Sequence, residues 1–414
     1  MADAIVIAGT EHSAHKGFYH GTQRTAAPET TLENIRRVSA TVGLTRLADV
    51  TGLDRIGIPT VVGYRPNSPT LTVSGGKGFT TIAATVSAGM EAVEIWHAEN
   101  PRVEVVKAPY VDLHRQGHTM SPADLPLTKN SLFDPHRPEA WVWGWDLIAQ
   151  QRVAVPYASV SMGNTLHRPA ARWMPFAAGS NGLAGGNHIL EAVAAGLYEV
   201  AERDAVACSR VSGAAMASRV DPTSITSPLV TSLFEQFAAA DISAYLFDCT
   251  VDTAIPTYMA VVADQVDPAM GLYRGYGAHL DPSIAMIRAL TEAAQARLLL
   301  IAGSRDDYFD RNQRANRFFS DTHRLDFDAI PATVDGDRHP SGATDSFHAD
   351  ITSILARLQR AGLSSAVVVD LTHPELGIPV ARVVVPGLEG YIFDFYQPGP
   401  RARAHQAAMA QVAS

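Results

Sequence analysis

Carboxylates gathered on single helix faces are the chemically suggestive feature of this sequence. Within Gly179 to Ala205, a glycine-rich run, Gly182 to Gly186, leads into a long helical pattern. Ile189, Leu190, Val193, Leu197 and Val200 supply its apolar stripe. Asn187 is the expected N-cap, since its side chain can accept from a first-turn amide. At about 100° per residue, Asn187, Glu191, Glu199 and Glu202 fall at roughly 0°, 40°, 120° and 60°. Like charges so stacked repel, so this face is either solvated surface or the wall of a cation site.

Two more segments favour the cation site. Thr80 to Glu99 is helical, with Ser87, Glu91 and Glu94 on one side and Ile82, Val86, Met90 and Val93 on the other. Ser74-Gly75-Gly76-Lys77-Gly78 precedes it and reads as a glycine loop with one lysine. Pro282 to Ala302 carries Glu292 and Gln295, with Arg288 one turn earlier. Three acidic helices suit divalent cations, and magnesium characteristically joins carboxylate oxygens to substrate phosphates. The lysine loop is the expected phosphate partner, although it is no Walker A sequence.

The elements that position these residues form a loosely alternating α+β chain. Pro28 opens a helix to about Val42. Thr45 to Val62 reads as strand, turn and strand, with a short strand at Leu71 to Ser74 before the lysine loop. Trp141 to Ile148 and Arg152 to Val160 form a hairpin turning near Gln150-Gln151. Leu229 to Ala239 and Phe347 to Ala361 are helical; Ile242 to Cys249, Thr257 to Ala263, Ala366 to Asp370 and Val380 to Val385 are strands. Ser304 to Arg317 is strongly charged, a solvated helix end or flap. Residues 1–20 are expected to be a mobile leader, with an edge strand at Ala4 to Ala8 as the alternative, 21–396 one large domain and 397–414 a tail.

In their order along the chain, these stretches resemble the YcaO family. LTRLADVTGLDRIGIPTVVGYRP from Leu44, SGGKG, SAGMEAVE, SNGLAGGNHILEAVAAGLYEVAERDA, GYGAHLDPSIAMIRALTEAAQAR from Gly275 and VVVPGLE from Val383 carry the likeness. The resemblance implies a single large YcaO-like α+β domain of mixed sheets packed with helices, its ATP and Mg2+ pocket lined by three acidic helices. It implies activation of a peptide backbone amide by phosphorylation of its oxygen. Glu91, Glu94, Glu191, Glu199, Glu202 and Glu292 would then hold magnesium. Lys77, Arg203 and Arg297 would face the phosphates. Ser87, Asn187 and Gln295 would orient phosphate oxygens or metal-bound waters. Arg24 and Thr31, a basic and a hydroxyl residue seven apart, would touch the nucleotide. Arg297 lies about 140° around an ideal helix from Glu292, so a salt bridge to Asp306 or Asp307 is its alternative role.

Attack on the activated amide by a neighbouring Cys, Ser or Thr gives an azoline, an amine gives an amidine, and sulfide gives a thioamide. The tail has Pro398 and Pro400 but continues past them, unlike the Pro-x-Pro-x-Pro ending of many azoline-forming members. That departure weighs against a simple azoline assignment. About forty residues precede the first of these blocks, fewer than the fused leader-binding domain of many members needs, so the chain looks like a stand-alone member, acting on a precursor peptide with a TfuA-like or a second YcaO-type partner, and a homodimer is allowed. A non-catalytic peptide-binding accessory and an ATP-dependent ligase acting on a free carboxylate are the competing classes.

Composition narrows these readings. With 414 residues and 46% hydrophobic content a large core is available. A net charge of −9 argues against a general nucleic-acid binder. Cys208 and Cys249 form no CxxC pair, so neither a disulfide framework nor a zinc site is expected. Cys208 has no evident histidine partner, and His188 beside Asn187 reads as a hydrogen-bonding residue. No signal peptide or membrane span is expected, and the anticipated setting is the cytoplasm.

Overall fold

The computed structural model describes all residues except 1–3, 118, 128–130, 164–174, 177–178, 305–325, 391–396 and 413–414. The chain opens with two small hairpins, β1 (Ile5–Ile7) with β2 (Thr10–His12) and β3 (Gly17–Tyr19) with β4 (Thr22–Arg24). The expected leader is thus partly built into the fold. Ile5 and Ile7 are buried in the main core, and Lys16 pairs with buried Asp350. Helix α1 (Pro28–Val42) follows with proline in its first turn. An antiparallel sheet comes next, β5 (Arg46–Asp49), β6 (Thr60–Tyr64) and β7 (Val73–Lys77), backed by α2 (Thr81–Glu99).

Glycines Gly75 and Gly76, expected in a phosphate loop, lie within strand β7. Their role is close approach. A Cβ on Gly76 would sit 2.1 Å from the Ala84 carbonyl oxygen of α2. One on Gly75 would meet Gln295 Nε2 at 2.6 Å. Gly76→Ala therefore forces strand and helix apart, and we expect a loss of about 1–3 kcal/mol or more in urea unfolding. Wild-type stability would show that the packing yields.

Next come β8 (Val105–Pro109), the short α3 (Tyr110–Arg115), β9 (Pro138–Asp146), β10 (Gln151–Pro156) and β11 (Leu183–Gly185). The β9–β10 hairpin turns at 147–150, where Gln150 has φ 52°. Helix α4 (Ile189–Ser212) runs from β11 through the core. Its N-cap is His188, whose Nδ1 accepts from the Leu190 amide at 3.2 Å. Asn187 is not the cap: it accepts from the Thr31 hydroxyl on α1 at 3.1 Å.

Beyond β12 (Val220–Asp221), α5 (Pro228–Ala239) and α6 (Pro282–Ala302) pack on the antiparallel sheet β13 (Ile242–Asp248), β14 (Thr257–Asp264) and β15 (Leu272–Ala278). Gly275 and Gly277 repeat the device of β7: a Cβ on either would lie 2.1 Å from an α6 carbonyl oxygen. The chain ends with β16 (Val334–Asp335), α7 (Phe347–Arg360), β17 (Val367–Asp370), β18 (Val380–Val384) and α8 (Pro400–Val412). Strands β10-β9-β17-β18-β11 form the large sheet, with β8 also paired to β9. The main core joins α4, α7 and this sheet through residues such as Leu190, Leu197, Ile351, Ile354, Val368 and Val383.

The expected tail is a helix fastened to α4. Arg401 makes two bonds to Asp204, Nε to Oδ1 at 2.9 Å and Nη2 to Oδ2 at 2.8 Å. Glu389 accepts from the Gly399 and Ala402 amides. Among the described residues no helix is long and apolar enough to cross a membrane.

Candidate active site

Helices α2, α4 and α6 bring their carboxylates toward the ends of β7, β11 and β15. Five of the six predicted glutamates are braced by a backbone amide. Glu91 accepts from Gly75 at 2.9 Å, Glu94 from Gly185 at 2.7 Å and Glu191 from Thr25 at 3.0 Å. Glu202 accepts from Ala278 at 3.1 Å and Glu292 from Tyr276 at 3.3 Å. Each bond fixes a side chain from one element against another and leaves further oxygen lone pairs available. The Thr25 hydroxyl adds a bond to Glu191 at 2.6 Å.

Cations are interleaved with these acids. Lys77, at the end of β7, lies 2.6 Å from Glu292. Arg203 is 3.6 Å from Glu199, Arg288 is 3.9 Å from Glu202, and Arg24 is 3.5 Å from Glu191. Buried Arg382 of β18 adds positive potential at Glu199 while its guanidinium donates to the Ser159 and Gly179 carbonyls. Ser87 is half-buried on α2 one turn before Glu91. Gln295 is buried against Gly75.

The electrostatics follow from burial. Burial, with repulsion from Glu91 and Glu199, pushes the Glu94 carboxyl up to about 8, against the pull of the Gly185 amide. Burial also raises Glu199, opposed by Arg203, Arg382 and Arg288. Burial and the neighbouring Glu292 raise Glu202. At Glu292 burial is outweighed by Lys77, Arg203 and Arg288, so it stays below the usual range. Burial thus disfavours the charged form at Glu94, Glu199 and Glu202, while the neighbouring cations favour it at Glu292.

Among the described residues no three Asp, Glu, His or Cys side chains are grouped tightly enough to hold a metal ion as they stand. The donor chemistry nevertheless fits magnesium, because the cluster offers carboxylate oxygens without sulfur or imidazole.

Of the other predicted residues, Thr31 and Asn187 meet each other between α1 and α4. Arg297 does not join the cluster. Its Nε is 3.0 Å from Asp54 and its Nη2 is 2.8 Å from Asp264, with the side chain only 3% exposed. The helical rotation from Glu292 carries it to the opposite side of α6, so the assignment to phosphates is corrected to a buried ion pair. Asp306 and Asp307, its expected alternative partners, lie outside the described residues, as does most of the charged stretch 304–317. Thr25 and Arg382 were not anticipated. Arg288 had been noted only as a neighbour of Glu292, and the four-residue spacing was its signal.

The match to known proteins fits this geometry. Residues 75–389 match the family model for the YcaO cyclodehydratase, ATP- and Mg2+-binding. The chain belongs to the YcaO family. It is 35% identical over 422 residues to an uncharacterized protein in the tfuA 3' region of Rhizobium leguminosarum bv. trifolii, covering 97% of both chains. It is also 35% identical over 392 residues to an uncharacterized protein of Methanothermobacter thermautotrophicus, covering 91% of this chain and 98% of that one. The YcaO structure from Methanopyrus kandleri bound with AMPPCP and Mg2+ superimposes with a TM-score of 0.71 at 26% identity, over 92% of this chain and 97% of that one. A heterocyclase in complex with substrate and cofactor shares the fold, with a TM-score of 0.76 at 24% identity over 94% of this chain. This chain spans 55% of that heterocyclase. As a YcaO protein it is an ATP-dependent peptide-modifying enzyme that uses ATP and Mg2+.

Proposed function

We propose that this YcaO protein transfers the γ-phosphoryl group of ATP to a backbone amide oxygen of a ribosomally made precursor peptide. A nucleophile then adds to the amide carbon, and the former carbonyl oxygen leaves in inorganic phosphate, with ADP as the other product. The observation that carries this reading is the set of amide-braced carboxylates, from buried Glu191 and Glu202 to half-buried Glu91, Glu94 and Glu292, interleaved with Lys77, Arg203 and Arg288. A peptide-binding accessory has no use for such an array.

Phosphoryl transfer needs positioning and charge stabilisation more than covalent work by the protein. Glu91, Glu94, Glu191, Glu199, Glu202 and Glu292 are the residues that would hold magnesium. Bound magnesium would neutralise phosphate charge and orient the β and γ phosphates. Lys77, Arg203 and Arg288 supply positive charge where the transferred group becomes more anionic. Arg24, Thr31, Asn187, Ser87 and Gln295 surround the remainder of the nucleotide.

An azoline or amidine is one outcome. Thioamide formation with a TfuA-like partner is the second, and two observations favour it. One relative is encoded in a tfuA 3' region. Cys208 and Cys249 are both buried, and burial raises both thiols, Cys249 up to about 12. The described surface therefore offers no thiol to carry sulfur, and free sulfide or a partner must deliver it.

Labelling the reacting amide with ¹⁸O should place the label in inorganic phosphate alongside ADP. Label kept in the peptide, or found in AMP with pyrophosphate release, rules this chemistry out. The peptide product separates the branches: cyclodehydration removes water, whereas thioamidation exchanges one oxygen for sulfur.

A further inference from the structure

A cavity of about 550 Å³ opens beside the face of α6 that Arg297 occupies, turned away from Glu292, and it shares no residue with the carboxylate cluster. Leu53, Met270, Leu300 and Ile301 form its apolar wall, and Asp54, Arg55 and Arg297 its polar one. Its size falls among pockets that hold drug-sized ligands, about 300–1,000 Å³, and an apolar lining with a few convergent polar groups is their usual make-up.

The polar wall has its charges matched but not its hydrogen bonds. Arg297 Nε lies 3.0 Å from Asp54, and its Nη2 lies 2.8 Å from Asp264. Arg55 Nη2 donates to Asp264 at 2.6 Å, and its Nε donates to the Ala240 carbonyl at 2.6 Å. Two guanidiniums thus face two carboxylates. Arg297 Nη1 is buried, and among the described residues no acceptor is bonded to it. The Arg297 side chain is only 3% exposed and is held by both acids, so it cannot turn this donor out to bulk water.

We propose that this cavity holds an apolar, uncharged segment of the peptide substrate, remote from the reacting amide, with one backbone carbonyl oxygen accepting from Arg297 Nη1. This rests on the amide-activation reading above, which makes a peptide the molecule to be held. The matched charges disfavour an ionic ligand, because either sign would leave a buried charge unbalanced. The spare donor calls for a neutral acceptor, and the aliphatic wall calls for an apolar group beside it. A leucine-like residue within a peptide brings both. An α-helix with its side chains is about 10–12 Å across, and extended chain spans about 3.3–3.6 Å per residue. At least about three residues therefore separate the docked residue from the amide that reacts at the Glu292 side. The cavity reads the peptide away from the position being changed.

The test uses N-acetylleucine N-methylamide as a minimal neutral peptide and methyl-¹³C-methionine spectra as the readout. Met270→Leu identifies the Met270 signal. The peptide should shift that signal saturably, with a dissociation constant unchanged within about twofold when Mg-AMPPCP is present. N-acetylglycine N-methylamide and the free acid N-acetylleucine should each bind about tenfold more weakly, a difference of about 1.4 kcal/mol. Leu53→Glu should weaken the leucine peptide by a similar factor. Leu53 is 56% exposed, so this variant should fold, and thermal unfolding checks that it does. No saturable shift in wild type, or equal peptide affinity in folded Leu53→Glu, would overturn the proposal. Tighter binding of the free acid would make this an anion site and overturn it too. So would a Met270 signal that moves on dilution alongside a sedimenting dimer, since the occupant would then be a second copy of the chain. Failure of wild type to bind Mg-AMPPCP would instead remove the underlying reading, and it is measured before peptide is added.

Discussion

Glu202→Gln is expected to lower magnesium-dependent ATP turnover by about 10²–10³-fold, the usual range for losing one preorganised electrostatic contact. The side chain is 2% exposed and fixed by the Ala278 amide, with Arg288 at 3.9 Å, and burial and then Glu292 raise its carboxyl. Glutamine keeps the shape and an acceptor oxygen but cannot balance a cation. The fold should survive, because replacing a strained buried carboxylate with a neutral amide removes part of its desolvation cost. Release of ADP and thermal unfolding, measured together, check both halves. Turnover equal to wild type would remove α4 from the magnesium face.

Arg297→Leu should act on stability instead, costing about 3–5 kcal/mol, because it leaves Asp54 and Asp264 as buried acids short of their partner. Denaturant unfolding is the measurement. The Mg-ATP affinity of the folded protein should be unchanged. A stable variant that had lost only ATP turnover would restore Arg297 to the phosphate site. Asp264 also gives the wild type an acid-sensitive contribution. Burial works to raise its carboxyl, but Arg55 and the Asp267 and Val266 amides outweigh it and hold the group well below its ordinary 3.8. A lowered native value means this stability is present above pH 3.8 and is lost as pH falls further.

Much of the frame was legible because periodicity survives burial. The helices at α1, α2, α4 and α6 follow from apolar stripes and capping signals, and the shared acidic faces of α2 and α4 pointed to one pocket. The glycines misled, since Gly75 and Gly76 signal close approach equally in a loop and in a strand beneath a helix. Only the position of α2 distinguishes the two. Arg297 misled because family order places it near Glu292 while helix geometry turns it away. The amide braces from Thr25, Gly185, Tyr276 and Ala278 were invisible, because they depend on where strand ends arrive in space. His188 displaced Asn187 as the cap because an imidazole lone pair met the Leu190 amide, leaving Asn187 for Thr31.

The wiring of the site has a consequence for how the protein must come into being. Thr25 and Glu191 are 166 positions apart, Lys77 and Glu292 are 215 apart, and Lys16 and Asp350 are 334 apart. At about 5–20 residues per second, roughly 17–67 s separate synthesis of Lys16 from that of Asp350. Until then the early strands and α2 exist without the partners that neutralise them, and closing such long loops is slow. Competence to bind nucleotide should therefore be the last property gained, arriving in one late step during refolding, after helical circular dichroism has recovered. An emerging amino-terminal portion would have edges and acids but no pocket.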